Sequence, residues 1–244
     1  MKPWPYPRWI AHRGAGKLAP ENTMAAFRLG AQYGYRMFEC DAKLSRDGVV
    51  FLMHDAELER TTNGVGIAGS QDWSHLSELD AGSWHSATYS GESIPTLESL
   101  AQFCISNGYF LNIEIKPTPG TEAITGSTIA KDVMHLWRDE PTLPLLTSFK
   151  TESLAAAKQT APYLPRGLLL DSLWEEWLDI AVSLECVAIV CNYKLWNKEL
   201  VETVHDQKMR CLSYTVNVQD IANSLMALGT DGIITDAVST LGSW

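Results

Sequence analysis

Two short histidine motifs, His12-Arg13-Gly14 and His54-Asp55, bracket an acidic pair, Glu39-x-Asp41, and a second acidic motif, Glu114-Ile115-Lys116, follows much later in the chain. The set supplies two groups that titrate near neutrality, three hard oxygen ligands and two fixed cations. Histidine both takes and gives a proton. Cutting a phosphate ester needs both acts: a base for the nucleophile and an acid for the departing alkoxide. Glu39 and Asp41 stand two apart on a strand-like run, so their side chains share a face, and Glu114 and Lys116 repeat the pattern. Three converging carboxylates repel one another and raise each other's pKa values. A hard divalent cation relieves this, and an all-oxygen donor set suits Mg2+, Ca2+ or Mn2+ rather than zinc. The alternative is that the acids are simply ion-paired to Lys116, Arg13 or Lys43. Charge favours the cation. Three carboxylates against Arg13 and Lys116 leave a net negative site that repels phosphate, whereas a bound divalent cation makes it net positive.

These residues need a scaffold that delivers them to one mouth. Short apolar or β-branched runs recur at 9–11, 37–41, 49–54, 110–115, 144–149, 167–170, 187–190, 211–216 and 232–235. Between most of them lie helix-like segments, such as those opening at Asn22-Thr23, Glu152 and Asp220. Alternating strands and helices predict a parallel sheet with helical crossovers. One run differs in kind. Asp47-Gly48 is a strong hairpin signal, so 49–54 runs back antiparallel to the strand before it. That leaves eight parallel strands, the number of a (β/α)8 TIM barrel; an open doubly wound sheet is the weaker alternative. With a two-residue loop, position 54 faces position 41, and a three-residue loop shifts this by one. Either way His54 returns beside Glu39 and Asp41. In a barrel of this kind chemistry sits where strands end. His12, Glu39, Asp41, Glu114, Lys116, Ser148, Asn192, Asn217 and Asp236 all fall at or near such ends. His75, His85, His135 and His205 lie in loop-like or helical polar stretches and stand apart from this set.

The organisation expected is one domain over 1–244, with a loop-rich insertion at 55–95 after the second strand. Its tryptophans, Trp73 and Trp84, are expected to form a small core rather than a lipid wedge. A net charge of −10 argues against nucleic-acid binding and against anionic membranes. Residues 1–7 lack the apolar stretch of a secretory leader, and runs such as 186–191 are far too short to span a bilayer. Five cysteines, Cys40, Cys186, Cys191 and Cys211 among them, have no CxxC or metal-like spacing and read as buried thiols in a reducing, cytoplasmic setting.

The motifs, taken together, resemble the glycerophosphodiester phosphodiesterase family. The likeness rests on His12-Arg13-Gly14, Pro20-Glu21-Asn22-Thr23, Glu39-x-Asp41, His54-Asp55 and Glu114-Ile115-Lys116. It continues through Leu79-Asp80-Ala81-Gly82-Ser83-Trp84, Tyr214-Thr215-Val216-Asn217 and Asp231-Gly232-Ile233-Ile234-Thr235-Asp236, so that it spans nearly the whole chain. The cytoplasmic bacterial members are the most similar. The resemblance implies a TIM barrel with a small insertion, hydrolysing glycerophosphodiesters such as glycerophosphocholine and glycerophosphoethanolamine to sn-glycerol 3-phosphate and an alcohol. It implies His12 and His54 as the acid–base pair, and Glu39, Asp41 and Glu114 as ligands of one divalent cation. Arg13 and Lys116 would contact the phosphate, and Tyr214, where the family often has Trp, would line the substrate. Water or the glycerol 2-hydroxyl is the nucleophile. Two other readings compete: a related phosphodiesterase acting on lysophospholipid-like substrates, and a non-catalytic barrel that binds glycerol phosphate.

Overall fold

The nine apolar runs all become strands. In the computed structural model, which describes residues 4–242, these are β1 (Trp9–Ala11), β2 (Met37–Leu44), β3 (Val50–Leu52), β4 (Phe110–Ile115), β5 (Leu145–Ser148), β6 (Arg166–Leu170), β7 (Ala188–Asn192), β8 (Arg210–Tyr214) and β9 (Gly232–Thr235). The helices are α1 (Met24–Gln32), α2 (Trp73–Leu76), α3 (Leu97–Asn107), α4 (Glu122–Leu136), α5 (Thr151–Thr160), α6 (Trp177–Ser183), α7 (Lys198–Asp206) and α8 (Gln219–Leu228). All the strands except β3 are parallel, and β1 pairs with both β2 and β9, so the sheet closes as a (β/α)8 barrel. The reading of 1–7 as leader-free falls partly on residues 1–3, outside the described residues.

Alternation along the strands divides the apolar residues between two layers. Ile10, Met37, Leu145, Leu169, Val190, Leu212 and Ile234 form one buried cluster, with one residue from each of seven strands filling the barrel. Their outward neighbours pack against the helices: Phe38 and Ile113 meet Phe27 of α1 and Leu100 of α3, while Leu168 and Ile189 meet Val204 of α7 and Leu225 of α8. Of the two residues that open α1, Asn22 and Thr23, it is Thr23 that caps it, with Oγ1 accepting from the Ala26 N–H at 3.2 Å. Gly30 of α1 lets this helix lie against the loop that carries Arg13. A Cβ at Gly30 would stand 2.2 Å from the Gly14 carbonyl oxygen.

The hairpin takes the longer of the two loops that Asp47-Gly48 allows. Its loop is three residues, Arg46, Asp47 and Gly48. The Ser45 N–H donates to the Val49 carbonyl at 2.9 Å and the Gly48 N–H to the Ser45 carbonyl at 3.1 Å. Gly48 is left-handed, with φ at +89°, the conformation a three-residue hairpin needs at its last loop position. Leu52 therefore pairs with Ala42, and the Met53 N–H donates to the Asp41 carbonyl at 2.9 Å. His54 lies one position beyond Asp41's partner. The turn is tied down by Asp47, whose Oδ1 accepts from Ser45 Oγ at 2.6 Å and from the Trp73 N–H at 2.9 Å.

Between β3 and α3 the chain forms α2, two short 3-10 turns and the isolated bridges Glu57–Ile67 and Asp80–Ser93. Its apolar residues gather in a small cluster of their own. Met53, Leu58, Ala68, Leu76, Leu79, Ala81 and Ile94 pack on Phe51, with Trp73 against them. Trp84 is 40% exposed, so only one of the two tryptophans joins that cluster.

Candidate active site

The site is built first on β2. Glu39, Asp41 and Lys43 alternate onto one face, and all three are buried. Cys40 and Ala42 point the other way into the helix layer. Parallel pairing sets Glu114 of β4 directly beside Asp41, so both carboxylates look into the barrel mouth. One oxygen from each of Glu39, Asp41 and Glu114 lies within 4.8 Å of the others.

The loop after β1 closes over them. Arg13 and Asn22 are both left-handed, with φ at 50° and 58°, a cost that the contacts they make explain. The Arg13 N–H donates to Glu39 Oε2 at 3.0 Å. Asn22 brackets Asp41, donating from Nδ2 to Oδ2 at 2.9 Å and accepting the Asp41 N–H at 3.1 Å. Side-chain cations complete the shell. Arg13 Nη1 donates to Glu21 at 2.8 Å, and Arg13 Nε lies 3.1 Å from Asp41 Oδ2. Lys116 Nζ stands 3.1 Å from Glu114 Oε1 and 3.8 Å from Asp41 Oδ1. Lys43 Nζ instead donates to the Lys116 carbonyl at 3.3 Å.

Ion pairing of the acids is thus real for Arg13 and Lys116, yet it does not exhaust them. Glu39 Oε1, Asp41 Oδ1 and Glu114 Oε1 are buried with no hydrogen bond of acceptable geometry. An unsatisfied buried acceptor costs about 1–3 kcal/mol; Glu39 Oε1 has no partner, and Asp41 Oδ1 and Glu114 Oε1 share Lys116 alone. Their ionisation reflects the same crowding. Burial, with Asp41 and Glu114 beside it, pushes Glu39 well above the ordinary carboxylate range. Burial and Asp41 raise Glu114 to about 7, against the pull of Lys116. Burial would raise Asp41 too, but Arg13, Lys116 and His54 hold it at about 2. A divalent cation fits this donor set, since it meets three under-satisfied oxygens and removes the repulsion. A second cluster, His205, Cys211 and Asp231, has ligand atoms equally close together. There the Asp231 oxygens are already taken by Arg210 Nη1, the Cys211 N–H and His205 Nε2.

These shifts carry a pH dependence. Glu114 holds its proton more tightly folded, at about 7, than at its ordinary 4.5, so the stability it contributes is full below 4.5 and is lost as pH rises toward 7. With divalent cations chelated, Glu114→Gln should therefore gain in Tm relative to the unsubstituted protein between about pH 4.5 and 7.5. A difference in Tm that stays constant across that range would count against the crowded carboxylates.

The histidines flank the acids, each held by a carboxylate at Nδ1. His12 Nδ1 lies 2.6 Å from Asp236 Oδ1, and its Nε2 lies 3.8 Å from Glu39. Asp236 is itself oriented by Asn217, which donates from Nδ2 to Oδ2 at 3.1 Å and accepts the Asp236 N–H at 2.8 Å. His54 Nδ1 lies 2.7 Å from Asp55 Oδ1. A carboxylate at Nδ1 selects the tautomer that leaves Nε2 with a lone pair. Burial lowers the His54 pKa.

On the far side of Lys116, Phe149 and Tyr214 meet edge to face at 5.9 Å, with Lys116 Nζ 6.0 Å from the Phe149 ring. The Tyr214 hydroxyl donates to the Leu170 carbonyl at 3.0 Å, so its proton is already engaged. Two other strand-end residues have internal duties. Ser148 Oγ donates to the Ile115 carbonyl and Asn192 Nδ2 to Asp171.

The structure thus brings His12, Arg13, Glu39, Asp41, His54, Glu114 and Lys116 to one mouth, with Tyr214 at its rim. Sequence reasoning assigned no individual role in the site to Asp55, Glu21 or Asn22. The adjacency His54-Asp55 was a usable signal for the first. Asn217 and Asp236 were visible only as polar strand ends.

A profile of the glycerophosphoryl diester phosphodiesterase family matches residues 12–240. A glycerophosphodiester phosphodiesterase of Caldanaerobacter subterraneus subsp. tengcongensis is 33% identical over 237 residues, 95% of each chain. Another, from Bacillus subtilis, is 29% identical over 93% of this chain and 82% of its own. Among solved structures, an Oleispira antarctica phosphodiesterase in complex with the product sn-glycerol-3-phosphate superposes with a TM-score of 0.89, at 30% identity, covering 96% of this chain and 94% of its own.

Proposed function

The chain belongs to the glycerophosphoryl diester phosphodiesterase family, and on that premise we propose that it hydrolyses glycerophosphodiesters, glycerophosphocholine and glycerophosphoethanolamine among them, to sn-glycerol 3-phosphate and an alcohol. The observation that carries this reading is the pair of carboxylate-held imidazoles, His12 and His54, flanking three crowded, buried acids. Glu39, Asp41 and Glu114 are the residues that would hold one divalent cation, Mg2+, Ca2+ or Mn2+. A bound cation supplies the positive charge that draws in a monoanionic phosphodiester and polarises its oxygens.

The chain's own groups do the rest. Arg13 and Lys116 orient the phosphate, Arg13 as a planar fork and Lys116 as a point charge. One histidine takes the proton of the nucleophile and the other returns a proton to the leaving oxygen. With water this gives glycerol 3-phosphate directly, whereas attack by the glycerol 2-hydroxyl expels the alcohol to leave a cyclic phosphate, which a water molecule then opens to glycerol 3-phosphate. Tyr214 and Phe149 wall the substrate with ring faces, since the Tyr214 hydroxyl is occupied at Leu170. In this reading 1–244 is one domain, and its insertion at 55–95 has a small apolar cluster in support. No helix among the described residues is long and apolar enough to cross a membrane. Five free, buried cysteines support a reducing, cytoplasmic setting as part of the proposal.

The deciding experiment incubates the protein with glycerophosphocholine or glycerophosphoethanolamine plus Mg2+ or Ca2+ and resolves the products. Glycerol 3-phosphate with free choline or ethanolamine is the expected result. Glycerol with phosphocholine, or no cleavage of any glycerophosphodiester, would overturn the assignment.

A further inference from the structure

The segment after β3 sends one arginine back across the site. The guanidinium of Arg60 uses two edges at once. Along one edge Nε donates to Asp55 Oδ2 and Nη2 to Asp55 Oδ1, the second at 3.1 Å. Along the other, Nη1 and Nη2 donate to Glu21 Oε2 and Oε1, each at 2.8 Å. Asp55 Oδ1 is the atom that holds His54 Nδ1, and Glu21 Oε1 is the atom that holds Arg13 Nη1. A continuous path of hydrogen bonds therefore runs from His54 through Asp55, Arg60 and Glu21 to Arg13, joining the strand β3 side of the mouth to the loop after β1.

We propose that Arg60 is a positioning residue that fixes the imidazole of His54 and the guanidinium of Arg13 relative to each other. This rests on the reading of His54 as a proton-transfer group and Arg13 as a phosphate ligand. The planar fork is what matters. Two carboxylates are each gripped bidentately by one rigid group, which a lysine ammonium cannot do. The Arg60 side chain is 44% exposed, and ion pairs so open to water contribute little to stability. What the arrangement supplies is direction. Without it Asp55 is free to rotate away from His54 Nδ1, and Glu21 loses the partner that holds it for Arg13. Misplacement of a reacting group on the scale of 1 Å costs up to ~10²-fold in rate.

The test uses Arg60→Lys and Arg60→Gln in the full chain with glycerophosphocholine and a fixed cation. Both variants should lose ~10–10²-fold in kcat, keep Tm close to that of the unsubstituted protein, and shift the imidazole 15N resonances of His54 while leaving those of His12 in place. The kcat loss from Arg60→Gln should also shrink on a His54→Ala background and on an Arg13→Ala background, because residues acting through one another are not additive. Full activity in Arg60→Lys would mean that charge, not the fork, is what counts, and would overturn the proposal. So would an unshifted His54 resonance, or an undiminished loss on either background. If the unsubstituted chain cleaves no glycerophosphodiester, the functional reading fails instead, and the His54 resonance still reports on Arg60.

Discussion

His54→Ala and His12→Ala should each lower kcat/KM by at least ~10²-fold, the lower end for positioned acid–base groups. The loss should fall on kcat more than on KM, because proton transfer is a demand of the transition state rather than of ground-state binding. Combining the two substitutions should cost less than the product of the single effects, since an acid and a base that act in one displacement fail together. Asp236→Asn tests the same arrangement without removing a ring. The amide presents a donor or a weaker acceptor to His12 Nδ1, where the carboxylate oxygen now lies at 2.6 Å, and so disturbs the tautomer that leaves Nε2 usable. Initial rates of glycerol 3-phosphate release, measured for each variant over a pH series, decide the matter. A near-normal rate in either alanine variant would remove that histidine from the mechanism.

Stripping divalent cations with EDTA should abolish turnover, and adding back Mg2+, Ca2+ or Mn2+ should restore it. The reason lies in three crowded, buried carboxylates, of which Glu39 Oε1 has no partner and Asp41 Oδ1 and Glu114 Oε1 share Lys116 alone. The same ion should stabilise the fold. A ligand present at a hundred times its Kd adds about 2.7 kcal/mol if it binds only the native state, which shifts Tm by several degrees. Asp41→Asn should erase both the activity and the cation-dependent rise in Tm. Turnover that persists in protein verified as metal-free, or a Tm that ignores the cation, would sink the assignment of Glu39, Asp41 and Glu114. The thermal readout stands even if the enzyme prefers an untested alcohol.

Much of the fold could be read from the chain because its signals are local. Each apolar run between helix-like segments became a strand, and Thr23, one of the two residues that open α1, caps it. The pairing of Glu39 with Asp41 on one face follows from strand period alone. The hairpin shows where local signals stop. Asp47-Gly48 is compatible with two loop lengths, and only the backbone hydrogen bonds of Ser45 choose the longer. The partners of the histidines divide in the same way. Asp55 is adjacent to His54 in sequence, whereas Asp236 reaches His12 only because β9 closes against β1. Arg60 carries no local mark at all. It reads as an ordinary exposed arginine in a loop-rich stretch, and its two carboxylate partners come from different parts of the chain. Lys43, by contrast, was a candidate partner for the acids and instead donates to a backbone carbonyl.

The bond between His12 and Asp236 joins residues 224 positions apart, and this has a bearing on when the enzyme comes alive. During synthesis His12 leaves the ribosome 224 positions ahead of Asp236 and waits for all of the chain between them. Until β9 docks, the imidazole has no carboxylate at Nδ1 and the barrel has an open seam beside it. A nascent or C-terminally clipped chain would carry the acids, Arg13 and His54, yet lack a correctly held His12. Onset of hydrolysis in a timed translation reaction should therefore track completion of the last strand rather than accumulation of the earlier ones.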